Sequence, residues 1–372
     1  MSSVSLVQCT TYDQQTVDQA VEQACMLADM PDVAGKRILI KPNILSDARP
    51  DQCITTHPSV LKALIHLLRK RGAAFLCMGD SPGLQRSNFQ PRNSGIQAVC
   101  DEEQVPWIDF TKQPHMHVIP YTRGKQLPLA SILDDVDMVF SVPKFKTHQL
   151  MYATGAIKNL FGLVPNLNKS PCHVQFPTRE QFASLMVGIA TIAKPAFCLM
   201  DGIIGMEGPG PANGVPRHLG LLLASTDALA LDYTQATIMG YDAKTVPIIQ
   251  EALHRGFGSL PTGYRGVELS SMIVKDYLRI EQQKKTSFLH ALVLPFFFSK
   301  YLRWKVKRER KAPTFLAEPC IKCRKCIDIC PASALTMQNK QIIIDTKACI
   351  RCYCCHEVCP ASAIAVDELH TP

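Results

Sequence analysis

Eight cysteines between positions 320 and 359 fall into two copies of one spacing, which constrains the C-terminal part of the chain more tightly than any other feature. The first copy, CIKCRKCIDICP, sets Cys320, Cys323, Cys326 and Cys330 before Pro331. The second, CIRCYCCHEVCP, sets Cys349, Cys352, Cys355 and Cys359 before Pro360, so each cysteine returns 29 positions later. The repeat outlasts the cysteines: PASALTM from Pro331 returns as PASAIAV from Pro360, and Ile321-Lys322 as Ile350-Arg351. Self-similarity of this kind marks an internal duplication.

Three thiolates on a short loop reach three corners of a cubane of four irons and four sulfides, and a remote fourth closes it. Two runs provide for two 4Fe-4S clusters, and in this arrangement the fourth cysteine of each run ligates the other cluster. One set is then Cys320, Cys323, Cys326 and Cys359, the other Cys349, Cys352, Cys355 and Cys330. The segment resembles the bacterial-type two-cluster ferredoxin domain, a small α+β fold, over roughly the last 55 residues. The extra thiol, Cys354, aligns with Lys325 and reads as a free cysteine, with replacement of Cys355 as the alternative. Structural zinc also uses paired cysteines; two interlocked copies closed by Cys-Pro favour iron-sulfur.

Of 16 cysteines, nine fall in the repeat and seven are scattered at 9, 25, 53, 77, 100, 172 and 198. In a chain of 372 residues that pattern fits a reducing, cytoplasmic compartment rather than a disulfide scaffold. The opening MSSVSLVQCTTYDQQ is no secretory signal, and no apolar run approaches the ~20 residues of a membrane span.

From the start to about residue 280, short apolar runs alternate with helical stretches: SLVQC, a helix near 13–29, RILIK, a helix near 58–71, then AAFLCM. Further strands are expected at 137–142, 196–200 and 219–224, and helices near 150–161, 178–193, 226–239 and 245–256. The alternation predicts an α/β domain with a largely parallel sheet and flanking helices. The domains expected are 1–280 for the α/β part, 281–313 for a connector and 314–372 for the ferredoxin-like part.

Polar residues follow several strands: Lys41-Pro42-Asn43, Asp80 in GDSPG, Lys144 to His148, and Asp201-Gly202. Ligands of open α/β sheets bind beyond the C-terminal strand ends, so these segments are expected to line one pocket. Lys41, Lys144, Lys146, His148 and Lys158 form a basic set suited to an anionic ligand. Asn43, Asp80, Asp201 and Glu207 are further candidates, and His148 is the candidate for proton transfer. The stretch DGIIGMEGPGPANG, 201–214, reads as a Gly-rich loop that matches neither the dinucleotide nor the Walker pattern. Asp80, Asp201, Glu207, Asp227 and Asp232 have carboxylates for a hard cation, without a recognised ligand spacing.

The strings IKPN, THP, GDSPG, SVPKFKTH, GAIKNLFG, DGIIGMEGPGP and STDALALD occur in that order between residues 40 and 232. In this order they resemble the family catalogued as domain of unknown function 362, whose members are often fused to ferredoxin-like domains. The resemblance implies an α/β domain associated with iron-sulfur proteins and supplies no reaction.

In the connector, Phe288 to Phe298 is apolar and 299–311 carries seven basic residues against Glu309. Aromatic-apolar followed by basic suits an interfacial anchor on anionic lipid at the inner face of the membrane; a packed connector is the alternative. No nucleic-acid-binding fold accompanies the charge. The function expected is single-electron transfer through two clusters to an anion bound in the α/β domain, with a redox partner protein. The alternative is a non-catalytic electron carrier or a metalloprotein assembly factor.

Overall fold

The computed structural model describes residues 2–84, 88–282, 306–307 and 310–366, and the backbone of 369–370. The N-terminal part is a ten-stranded sheet. Its strands are β1 (Ser3–Gln8), β2 (Arg37–Pro42), β3 (Phe75–Gly79) and β4 (Trp107–Ile108), then, after a separate hairpin of β5 (His115–Val118) and β6 (Gln126–Leu129), β7 (Met138–Val142). It continues with β8 (Lys144–His148), β9 (Tyr152–Thr154), β10 (Pro195–Glu207), β11 (Val215–Ser225) and β12 (Gly263–Gly266). The main order is β12-β1-β11-β10-β7-β2-β3-β4, with β8 on β10 and β9 on β8.

Along that path only β11 runs antiparallel to its neighbours, because it returns from β10 as a hairpin. The sheet alternates its side chains between two cores. On β2, Ile38 and Ile40 face one core with Val21 of α1 (Gln14–Leu27) and Leu64 of α2 (Pro58–Lys70). Leu39 faces the other, which holds Met186 and Leu231. α3 (Ile96–Glu102) packs with the first core. The second is covered by α4 (Ala156–Asn159), α5 (Lys169–Gln175), α6 (Arg179–Ala193), α7 (Ala228–Ile238) and α8 (Pro247–Arg255). Burial on both faces explains why these strands read as nearly continuous apolar runs.

The helices start where polar caps allow. Asp13 accepts from the backbone N–H of Thr16, Thr178 and Gln181 form a reciprocal capping box, and Asp227 accepts from Leu229 and Ala230.

Two expectations change. The helix expected near 150–161 begins only at Ala156, since Tyr152–Thr154 is drawn into the sheet by pairing with β8. The Gly-rich loop expected from 201 begins only after Glu207. Glycines 202 and 205 sit within β10, where an added Cβ would come 2.8 Å from the carbonyl oxygens of Leu221 and Phe145 respectively.

The C-terminal part is small. Thr314–Phe315 pairs with Ile364–Ala365, Leu335–Gln338 with Gln341–Ile344, and the helical turns Lys325–Asp328 and Cys354–Glu357 stand in matching places. The duplication recurs in space: Ala334 N–H donates to Cys330 Sγ and Ala363 N–H to Cys359 Sγ, both at 3.3 Å. The chain then returns to the larger part, where the backbone of 369–370 pairs antiparallel with Arg279–Ile280. Most of the basic connector, 283–305 and 308–309, lies outside the described residues. Of its described part, Lys307 donates to the carbonyl of Lys347, and Arg310 is buried near Arg351.

Candidate functional site

The eight cysteines lie around two cavities. Cys320, Cys323, Cys326 and Cys359 line one cavity; Cys330, Cys349, Cys352 and Cys355 line a second, with Cys354 on its wall. Each cavity therefore takes one cysteine from the opposite run. N–H donors reach Cys330 and Cys359 as above, and Arg351 N–H reaches Cys349 Sγ at 3.4 Å. Four thiols with backbone donors to sulfur fit an iron-sulfur cluster, whose potential such hydrogen bonds tune. Among the described residues no three His, Cys, Asp or Glu side chains converge in the manner of ligands to a single metal ion.

A third cavity, roughly 840 Å³ with its open mouth, lies between the two parts of the chain. From the α/β part it takes Asn43, Asp80, Lys146, His148 and Lys158; from the ferredoxin-like part, Ile329, Cys354, Glu357 and Val358. Strand β8 explains the cations. Its register on β10 sets Lys144 opposite Asp201 and Lys146 opposite Met206, and the pleat sends Lys144, Lys146 and His148 to one face.

Along that face the three residues meet different partners. Lys144 ends in an internal network, 2.7 Å from Asp201 and 2.8 Å from the Tyr12 hydroxyl, while Tyr12 and the N–H of His57 donate to Asp201. Among the described residues Lys146 donates only to the carbonyls of Ile54, at 2.6 Å, and Pro211, at 3.3 Å. Burial pushes it well below the lysine range, Lys158 adds to that, and Glu357 opposes it. His148 Nδ1 accepts from the N–H groups of Leu150 and Met151, so the neutral ring carries its proton on Nε2, 3.3 Å from Glu357 Oε1. Burial, then Lys158 and Lys146, hold it well below the histidine range. His148 is thereby a hydrogen-bond donor whose free lone pair is already used.

The expected set divides. Asn43, Asp80, Lys146, His148 and Lys158 converge; Lys144, Asp201 and Glu207 do not line the cavity. Lys41 is neutralised behind it by Asp80 at 2.8 Å, although burial drives its pKa down. Glu207 points to Arg217, at 3.6 Å, and accepts from Leu278 N–H. Nor do the five acidic residues form a cation site: Asp227 caps α7, and Asp232 accepts from the N–H groups of Ala156 and Ile157.

Sequence reasoning missed Lys169 and His173, which also line the cavity. Burial lowers Lys169 to about 7 and His173 to about 3, the latter helped by Lys158. NLNKSPCH held their signal, two basic residues four positions apart. The loop after β10 serves the domain contact: Pro209 O lies 2.9 Å from His356 Nε2, and Asn213 donates to the carbonyl of His356 at 2.6 Å.

Fold and cysteine cavities together define an α/β protein joined to an iron-sulfur domain. The profile of domain of unknown function 362 matches residues 38–237, over half of the chain, and a 4Fe-4S dicluster domain matches 312–360. The chain belongs to the domain of unknown function 362 family. It is 32% identical over 229 residues to a thylakoid-associated protein of Synechocystis, covering 61% of this chain and 70% of that one. Among solved structures it is similar to a Thermotoga maritima protein, with TM-score 0.37, 12% identity and coverage of 57% of this chain and 55% of that one. It is also similar to the lactate racemase apoprotein of Thermoanaerobacterium thermosaccharolyticum, with TM-score 0.38, 16% identity and coverage of 59% and 54%. The chain thus spans little more than half of either solved protein. No helix among the described residues is long and apolar enough to cross a membrane.

Proposed function

We propose that this iron-sulfur protein passes single electrons through two 4Fe-4S clusters to a small anion held between its two parts. The observation that carries the reading is a shared wall: Cys354 lines both the interdomain cavity and the cavity of Cys330, Cys349, Cys352 and Cys355. Clusters, when bound, supply one-electron transfer. The chain's own residues do the rest. Lys146, Lys158 and Lys169 attract the anion, and His148 orients it through Nε2–H. The other cysteine cavity has exposed Cys323 on its rim, the side on which a redox partner protein docks. Anaerobically purified protein is expected to contain about eight iron and eight acid-labile sulfide per chain. Zinc without sulfide would end the reading.

One observation favours the second reading, a carrier or assembly factor without chemistry of its own: His148 offers no free base. Mass spectrometry of small molecules released from the anaerobic protein separates the two, since a carrier releases none from the cavity.

The basic-aromatic stretch 288–311 and the thylakoid association of the Synechocystis relative support peripheral contact with acidic membrane. Each basic residue near such a surface contributes about 1 kcal/mol, screened by salt. In flotation, vesicles containing anionic lipid should recover more protein than neutral ones at low salt, and the excess should fall at physiological salt. Equal recovery assigns the stretch to the connector role.

A further inference from the structure

The interdomain cavity holds more unmet polar atoms than an empty space between domains requires. Thr154 is buried, and among the described residues its Oγ1 has no hydrogen-bond partner; Asn43 Oδ1 and Glu357 Oε1 are likewise without one. All three residues line this cavity. Glu357 Oε1 is 3.3 Å from His148 Nε2, an approach without hydrogen-bond geometry. Among the described residues Lys158 has neither a hydrogen bond nor an ion pair, although it is half-buried at the same cavity. Buried polar groups without partners cost stability, so such a cluster in one cavity marks the place of a ligand that satisfies it.

The orphans are of two kinds. Lys158 offers a donor and, once an anion is beside it, positive charge, as do Lys146 and Lys169 through protons not given to carbonyls; Asn43 Oδ1 and Glu357 Oε1 are acceptors, and Thr154 Oγ1 both gives and accepts. An anion alone answers only the first kind. Burial disfavours the ammonium forms of these lysines, and a bound anion favours them again. The acceptors need a donor on the ligand, and an ammonium donor would work against that charging. Resting on the reading of this cavity as an anion site, we infer that it takes a small anion bearing a hydroxyl group. Its negative end lies toward Lys146 and Lys158, and its hydroxyl toward Thr154, Asn43 and the Glu357 carboxylate. The ferredoxin-like part thereby completes the site, since Glu357 belongs to the turn that also carries Cys354 and Cys355.

Calorimetric titration of the full-length, cluster-loaded protein under anaerobic conditions tests this with glycolate, acetate and sulfate at constant ionic strength. Glycolate is expected to bind about tenfold more tightly than acetate, the effect of one buried hydrogen bond that the hydroxyl alone makes. Thr154→Val should bring the two within about twofold without changing acetate, while Lys158→Met should weaken both at least tenfold. Because neither side chain loses a hydrogen bond among the described residues, iron content of both variants and the Tm of Thr154→Val should match the parent, while Lys158→Met also removes a charge acting on Glu357 and is read by iron content alone. Equal binding of acetate and glycolate by the parent protein overturns the hydroxyl assignment and leaves the anion site standing. An undiminished preference in Thr154→Val overturns it as well. Binding of none of the three probes overturns the anion site, and this inference with it. The comparison of probes on the parent protein decides the matter even where a variant fails to fold.

Discussion

Cys359→Ser, purified anaerobically, is expected to lose the cluster whose other three ligands lie in the opposite run, about 30 residues upstream, and to keep the one nearer in sequence. Iron should fall from about eight to about four per chain. Cys359 lines the cavity of Cys320, Cys323 and Cys326, and Cys330 lines that of Cys349, Cys352 and Cys355. Cys330→Ser should therefore remove the complementary half of the spectrum, so the two variants differ in which signal survives. Cys354→Ser is the control: Cys354 lies on the wall of the second cavity as a fifth thiol, and its loss should leave iron unchanged. Iron analysis with low-temperature electron paramagnetic resonance of the reduced proteins reads all three. Loss of the near cluster in Cys359→Ser would mean that each run closes its own site.

Lys144→Ala and Lys146→Met are expected to act in opposite ways, although the residues are two positions apart on one strand face. Removing Lys144 leaves Asp201, fully buried, with only neutral donors among the described residues, from Tyr12, His57 and Ile203. Breaking a buried pair from one side costs about 3–5 kcal/mol, which in a domain of this size lowers Tm on the order of 10 °C. Lys146 has no carboxylate within ion-pair distance among the described residues, and its ammonium is disfavoured by burial. An apolar side chain of similar length should change stability by under about 1 kcal/mol, while anion binding is lost. Thermal melts paired with acetate titrations distinguish the roles. Unchanged Tm with lost binding in Lys144→Ala would return that residue to the site.

The contrast explains how far the sequence could be read. Strand and helix positions followed from apolar runs and caps, so RILIK, DMVFSV and the helix from Arg179 were legible. Ligand cysteines were legible because a cubane fixes their spacing. Lys144 and Lys146 look alike in SVPKFKTH, and what separates them is the opposing residue on β10, Asp201 or Met206. Register across 50 residues is a tertiary fact with no local signature. The same holds for Glu357, hidden inside a cluster motif, and for Thr154, whose turn into a strand depends on β8 being beside it. The antiparallel return of β11 was equally silent, since a strand buried on both faces reads the same in either direction.

The pairing of 369–370 with Arg279–Ile280 gives the smaller part a departure point and a landing point only one strand apart. A module hung from one linker samples a sphere of orientations; one secured at both ends is a buckle, able to lift about the line joining its two ends but not to wander. The return pairing thus holds the end of the smaller part against the larger one, beside which the interdomain cavity lies. Precision of approach, which a freely tethered carrier finds by diffusion, is here a property of the chain's path.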